Sequence, residues 1–172
     1  MEKKAIPVGI ENFEDIIKDN YYYVDKSMLI EDILVNRAAV TLFTRPRRFG
    51  KTLNMSMIKY FFDVRNKDEN RKLFEGLKIF GSEYMKEQGK YPVIFVSLKD
   101  LRGDTWEDTF ENLKSFISDL YAEFEDMREI MNKRDKIKFD KIFYEEEKVN
   151  YGTSLKLLSN YLYEYYRKSV II

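Results

Sequence analysis

Apolar positions in this chain fall into two patterns, and their order predicts helices alternating with buried strands. The clearest helix follows Thr105, where Trp106, Phe110, Leu113, Ile117, Leu120, Phe124 and Met127 recur at spacings of four and three on one face. Thr105-Trp-Glu-Asp108 opens it with the spacing of a capping box, Asp standing where Glu is preferred. An aromatic stripe of this kind is core, so Trp106 is assigned to packing. A second amphipathic stretch runs on from Thr52 through Leu53, Met55, Met57, Ile58, Phe61 and Phe62. Shorter helices are expected around Phe13, Ile16 and Ile17, and after Ser27, a candidate N-cap for Met28, Leu29, Ile30, Ile33 and Leu34. Others are expected within 69–80, with Leu73, Phe74 and Leu77 inward, and within 82–88, stopped by Gly89. The last starts at Gly152 and Thr153, with Leu155, Leu158, Leu162 and Tyr165 on its buried face. Residues 66–70 read as a connection. Residues 131–150 are charge-dense, either solvated helix faces or a lid-like excursion. Glu145, Glu146 and Glu147 are consecutive and do not share a helix face, which argues against a metal set.

The other pattern is the continuous apolar run. It occurs at 38–44, at 93–98 behind Pro92, and at Ser169-Val-Ile-Ile172. Runs of this length between helices suit parallel strands covered on both faces. Tyr21-Tyr-Tyr-Val24 is a short β segment or a tight packing run. The order implies an α/β, three-layer fold around a mostly parallel sheet, incomplete at the C-terminus. Residues 1–172 then form a single domain, with 1–36 as a lead-in and 38–172 as the core. An incomplete sheet leaves an exposed edge, which makes a homo-oligomer an expected partner state.

Composition narrows the function. Hydrophobic residues at 44% and aromatics at 16% place the chain among folded proteins. Lys plus Arg and Asp plus Glu are both 30, so nucleic acid is a possible partner that net charge does not indicate. The absence of Cys and His removes disulfides, thiolate metal sites and triads that need either residue. No apolar run approaches the ~20 residues of a membrane helix, and the N-terminus lacks a signal-type apolar region, so the expected location is the cytoplasm.

The strongest chemistry lies in Thr41-Leu-Phe-Thr-Arg-Pro-Arg-Arg-Phe-Gly-Lys-Thr-Leu-Asn54. An apolar segment passes through a basic turn into a helix start, where unpaired backbone N–H groups and the helix dipole favour an anion. Gly50 allows close backbone approach, Lys51 supplies charge to a β/γ-phosphate, and the Thr52 hydroxyl can reach Mg²⁺ held by the nucleotide. Arg48 and Phe49 shape the turn. The cluster Arg45, Arg47, Arg48 at a helix N-terminus makes better sense beside phosphate than without it. Against G-x-x-x-x-G-K-[ST], the first glycine is replaced by Arg45, followed by Pro46, which drives Arg45 toward extended backbone.

Arg45-Pro-Arg-Arg-Phe-Gly-Lys-Thr-Leu53, with Tyr21-Tyr-Tyr-Val-Asp-Lys-Ser27 upstream, resembles the AAA-ATPase-like family of bacterial and archaeal proteins. Ile6-Pro-Val-Gly-Ile10, the Phe13 segment and Tyr91-Pro-Val-Ile-Phe-Val96 fit the same pattern over essentially the whole chain. The resemblance implies a P-loop NTPase fold in which Arg45 belongs to the usual Walker A form. It implies ATP and Mg²⁺ as cofactors, and makes Asp25 and Lys26, a solvated turn by spacing alone, secondary site candidates. Such relatives carry a strand ending in Walker B acids and often a later nuclease-like region. Ser169–Ile172 resembles the start of that strand, cut before its acids. The expectation is a truncated ATP-binding module, deficient in hydrolysis alone. The alternative is a non-enzymatic interaction module whose basic loop binds nucleic-acid phosphate or a protein.

Overall fold

Helix signals in the sequence are realised more faithfully than strand signals. The structure, a computed structural model, describes residues 4–46, 48–99, 101–146 and 149–172. Its contacts divide the chain into two compact units, Met1–Val93 and Ile94–Ile172.

In the first unit lie α1 (Phe13–Lys18), α2 (Leu29–Asn36), α3 (Lys51–Phe62) and α4 (Lys67–Lys72), followed by 3-10 turns at Lys78–Gly81 and Glu83–Glu87. Asn12 caps α1 by accepting the Glu14 N–H. The core gathers Phe13, Ile16, Ile30, Met57, Phe61, Phe74 and Ile79, all essentially inaccessible. Phe74 sits between Phe13 and Phe61, with ring centroids 5.2 and 5.3 Å away. The C-terminal carbonyls of α3, which no helical N–H can reach, accept from elsewhere: Gly89 N–H bonds Phe61 O at 2.8 Å and Tyr91 N–H bonds Phe62 O at 2.9 Å. Gly89 has φ +67°, and a Cβ there would stand 2.6 Å from Lys67 Cβ, so the contact demands glycine.

The second unit contains α5 (Trp106–Ala122), a 3-10 turn at Glu125–Glu129, α6 (Lys133–Phe143), a short 3-10 turn at Tyr151–Thr153 and α7 (Ser154–Tyr166). Both reciprocal bonds of the Thr105–Asp108 capping box are formed. Ile117, Leu120, Tyr121, Phe139, Ile142, Leu158 and Leu162 build one core. The Tyr121 hydroxyl donates to Ser154 O at 2.8 Å, and the Ser118 hydroxyl to Phe143 O at 2.6 Å.

The expected α/β fold with a parallel sheet is overturned: the described residues contain helices but no strand and no sheet. Only isolated pairing occurs, such as the parallel bridge between Asp63 and Tyr91. The physical reason is that a strand exists only against a partner ladder, whereas an apolar run records burial tendency alone. In 38–44 no ladder forms, and Val40 and Leu42 are 85% and 82% exposed. In 93–98 burial stops after Val93 and Ile94, and the Ile94 N–H finds Ile171 O at 2.8 Å. The helices pack on one another instead. The sheet edge expected to carry oligomerisation is therefore not formed among the described residues.

Smaller differences follow local rules. Residues 67–72 are helical rather than a connection, and the helix expected across 69–80 breaks into turns after Lys72, where Gly76 takes φ +80°. Ser27 does not cap α2, whose preceding residue Met28 is already helical and makes no side-chain cap. Trp106 is 71% exposed, with one face stacked on Phe110 at 5.9 Å, because the first turn of α5 projects beyond the core. Tyr165, expected inward, is 40% exposed. Within 131–150, α6 takes the helical alternative and buries Phe139 and Ile142.

Candidate functional site

Gly50 and the start of α3 define the site. Gly50 precedes the helix with φ +72° and ψ 28°, a left-handed conformation that glycine adopts without a Cβ penalty. Arg48 also has positive φ, +67°, at a cost of about 1–2 kcal/mol for a residue with a Cβ. Strain of this kind is held where surrounding structure over-determines it and is common at ligand loops. No side chain caps α3, so its first-turn N–H groups gain no acceptor from the N-cap position. A Cβ placed on Gly50 would meet nothing within 4 Å, so the space at the helix start is open.

Lys51 is the first residue of α3. Its Nζ donates to Arg45 O at 2.6 Å and to Pro46 O at 2.8 Å, folding the ammonium back over the loop. Arg45, Arg48, Phe49 and Thr52 are exposed. Thus Arg45, Arg48, Phe49, Gly50, Lys51 and Thr52 are brought together on one turn. Arg47 and Glu147 lie outside the described residues.

The platform under this turn is built by α1 and α3. Ser56, buried on α3, accepts the Phe13 N–H at 2.9 Å and donates to Leu53 O at 2.9 Å. The Tyr60 hydroxyl donates to Glu14 Oε2 at 3.0 Å. Burial comes first among the causes that push the Tyr60 phenol up to about 12, with the Glu14 carboxylate adding to it. On the Glu14 carboxyl the Lys18 ammonium acts most strongly, holding it below the usual range.

Asp25 is used differently. Its Oδ1 accepts Ser27 N–H at 2.8 Å and its Oδ2 accepts Lys78 N–H at 2.8 Å. The Ser27 hydroxyl oxygen, wholly buried, accepts Ile79 N–H at 3.2 Å. Partial burial raises the Asp25 carboxyl, but the hydrogen bonds from Ser27 and Lys78 outweigh it and hold the group below its ordinary value. Both oxygens thus serve the backbone, while Lys26 is exposed. Tyr23, in the same segment, packs edge-on to Phe13 at 5.5 Å and directs its hydroxyl to Met57 Sδ at 3.3 Å. No feature of the sequence marks the carbonyls of Arg45 and Pro46 as acceptors of Lys51, since every residue carries one. Nor did it distinguish Ser27 as a bridge to residue 79 from Ser27 as a cap.

A family model described as Predicted AAA-ATPase, AAA-ATPase-like, matches residues 7–172. The chain belongs to the AAA-ATPase-like family. An uncharacterized protein in the vnfD 5' region of Azotobacter chroococcum mcd 1 is 36% identical over 80 residues, 46% of this chain. The chain spans 14% of that relative's length. No solved structure matches it. Among the described residues of this AAA-ATPase-like chain, no helix is long and apolar enough to cross a membrane.

Proposed function

We propose that this chain is an ATP-binding module in which Gly50, Lys51 and Thr52 hold the nucleotide's phosphates and its Mg²⁺. The observation that carries the reading is the left-handed Gly50 directly before Lys51 at the uncapped N-terminus of α3. Backbone N–H groups there offer an anion a ready set of donors, and the helix dipole adds favourable potential. Lys51 lies on the same turn, with an ammonium now held by two carbonyls that a phosphate oxygen can replace with a charge-assisted bond. Thr52 presents an exposed hydroxyl to a metal carried by the nucleotide. Arg48 and Phe49 fix the turn's shape, and Arg45 adds positive charge around it. Asp25 acts as a positioning residue through Ser27 and Lys78.

The apolar runs at 38–44 and 93–98 do not lead into paired acids of the kind that organise Mg²⁺ and polarise water. Gly50, Lys51 and Thr52 are therefore assigned binding, without hydrolysis. Calorimetric titration with ATP and Mg²⁺, run beside Lys51→Ala, tests it. Saturable binding that Lys51→Ala weakens by about 10- to 100-fold is expected, the range of one charge-assisted contact. Equal binding by both proteins refutes the assignment. Binding that instead falls steeply with salt and ignores Mg²⁺ identifies a basic surface for nucleic-acid phosphate.

A further inference from the structure

A buried side chain holds the residue that carries the last free donor of the Gly50 turn. The first helical bond of α3 runs from Asn54 N–H to Gly50 O at 2.9 Å, so the N–H groups of Lys51, Thr52 and Leu53 precede the ladder. The carbonyl of Leu53 accepts the Ser56 hydroxyl proton at 2.9 Å. Ser56 is 7% exposed and lies inside α3, where serine is disfavoured unless its hydroxyl is used. A serine that bonds back to a carbonyl of the preceding turn often bends the helix there.

The same oxygen is held from a second element. Ser56 Oγ accepts the Phe13 N–H at 2.9 Å in a buried bond, and Glu11 O lies 3.4 Å from it. Phe13 begins α1, and its N–H is one of the donors that a helix start leaves without an intrahelical partner. Its ring is wholly buried, edge-on to Tyr23 at 5.5 Å and against Phe74 at 5.2 Å, so this donor stays where the core puts it. The hydroxyl is thus fixed by α1 on one side and bonds the first turn of α3 on the other. Tyr60, one turn farther along α3, also bonds α1, but its hydroxyl proton goes to Glu14 Oε2 at 3.0 Å.

We propose that Ser56 is a positioning residue for nucleotide binding: by tying Leu53 to the start of α1, it aims the first-turn N–H groups, and with them Lys51 and Thr52, at the phosphates. Its role rests on the ATP-binding reading of the Gly50 turn. Ser56 itself, buried one turn inside the helix, touches no nucleotide.

The test is NMR titration of the whole isotope-labelled chain with ATP and Mg²⁺, beside Ser56→Ala, Ser56→Thr and Tyr60→Phe. In the parent, the Phe13 amide signal is expected to shift along the same saturation curve as the Gly50 amide, because Ser56 joins the two segments. Ser56→Ala is expected to weaken ATP about tenfold, the worth of one hydrogen bond lost from the donor set. Ser56→Thr keeps a hydroxyl that can bond the preceding turn and is expected to bind within about threefold of the parent. Tyr60→Phe loosens α1 from α3 without touching Leu53, and is expected to melt lower yet bind ATP as the parent does. A Gly50 amide that ignores ATP refutes the ATP-binding reading, and the role of Ser56 falls with it. A Gly50 amide that shifts while Phe13 stays still overturns the role of Ser56 alone, even where Ser56→Ala does not fold. So does Ser56→Ala binding as tightly as the parent, or a loss that Ser56→Thr or Tyr60→Phe shares.

Discussion

Two motifs of the AAA-ATPase-like family sit in the same unit and put their polar groups to opposite use. In Tyr21–Ser27 the polar atoms turn inward: both Asp25 oxygens and the Ser27 hydroxyl are engaged by backbone N–H groups, two of them more than fifty residues away. In Arg45–Thr52 the Arg45, Arg48, Phe49 and Thr52 side chains are exposed, and the helix start has no side-chain cap. One motif is satisfied by the chain itself. The other has donors in excess of acceptors. Excess donors at a helix N-terminus are what an anion needs, whereas a fully engaged carboxylate is fixed in place and suited to holding two segments together.

Mutations at the two motifs should separate these uses. The largest expected effect is the loss of ATP affinity in Lys51→Ala, about 10- to 100-fold, with a melting temperature close to that of the parent because the loop carbonyls it leaves face water. A large drop in melting temperature would show that Lys51 is structural as Ser27 is. Next is Ser27→Ala, which orphans the buried Ile79 N–H and is expected to cost about 2 kcal/mol by denaturant titration, with ATP affinity of the folded protein unchanged.

Asp25→Asn retains one oxygen acceptor for two N–H groups and is expected to cost about 1 kcal/mol. The same variant should differ from the parent in its pH dependence. The Asp25 carboxyl is depressed in the folded state, so its stabilisation is present above the unfolded value near 3.8 and is lost as pH falls through the lower folded value. Acid titration of stability should therefore be shallower in Asp25→Asn than in the parent. Gly50→Ala should cost about 1 kcal/mol of stability, from backbone conformation alone, since a Cβ meets nothing there. Its readout is again ATP affinity, which falls if the turn must keep φ +72° to present its donors.

The boundary of α5 was legible because the Thr105–Asp108 capping box is local: its donors and acceptors are three residues apart. The start of α3 was legible because Gly-Lys-Thr separates a turn from an amphipathic stretch. The exposure of Trp106 was not, since spacing places a residue on a face but not within reach of a neighbour. Strands were overread for a related reason. Val40 and Leu42 have the residue types of a buried strand and stand in solvent, because no segment pairs with them.

From the sequence alone come the family, the starts of α3 and α5, and the cluster Arg45, Arg48, Gly50, Lys51 and Thr52 on one turn. Each of these is set by residues close together in the chain, through periodicity, capping and backbone freedom. Tertiary structure alone decided that apolar runs stay unpaired, that Asp25 and Ser27 bind the backbone of residues 78 and 79, and that Lys51 bends onto its own loop. Those outcomes depend on which distant backbone groups arrive within hydrogen-bond reach, and such meetings leave no periodic mark in the chain.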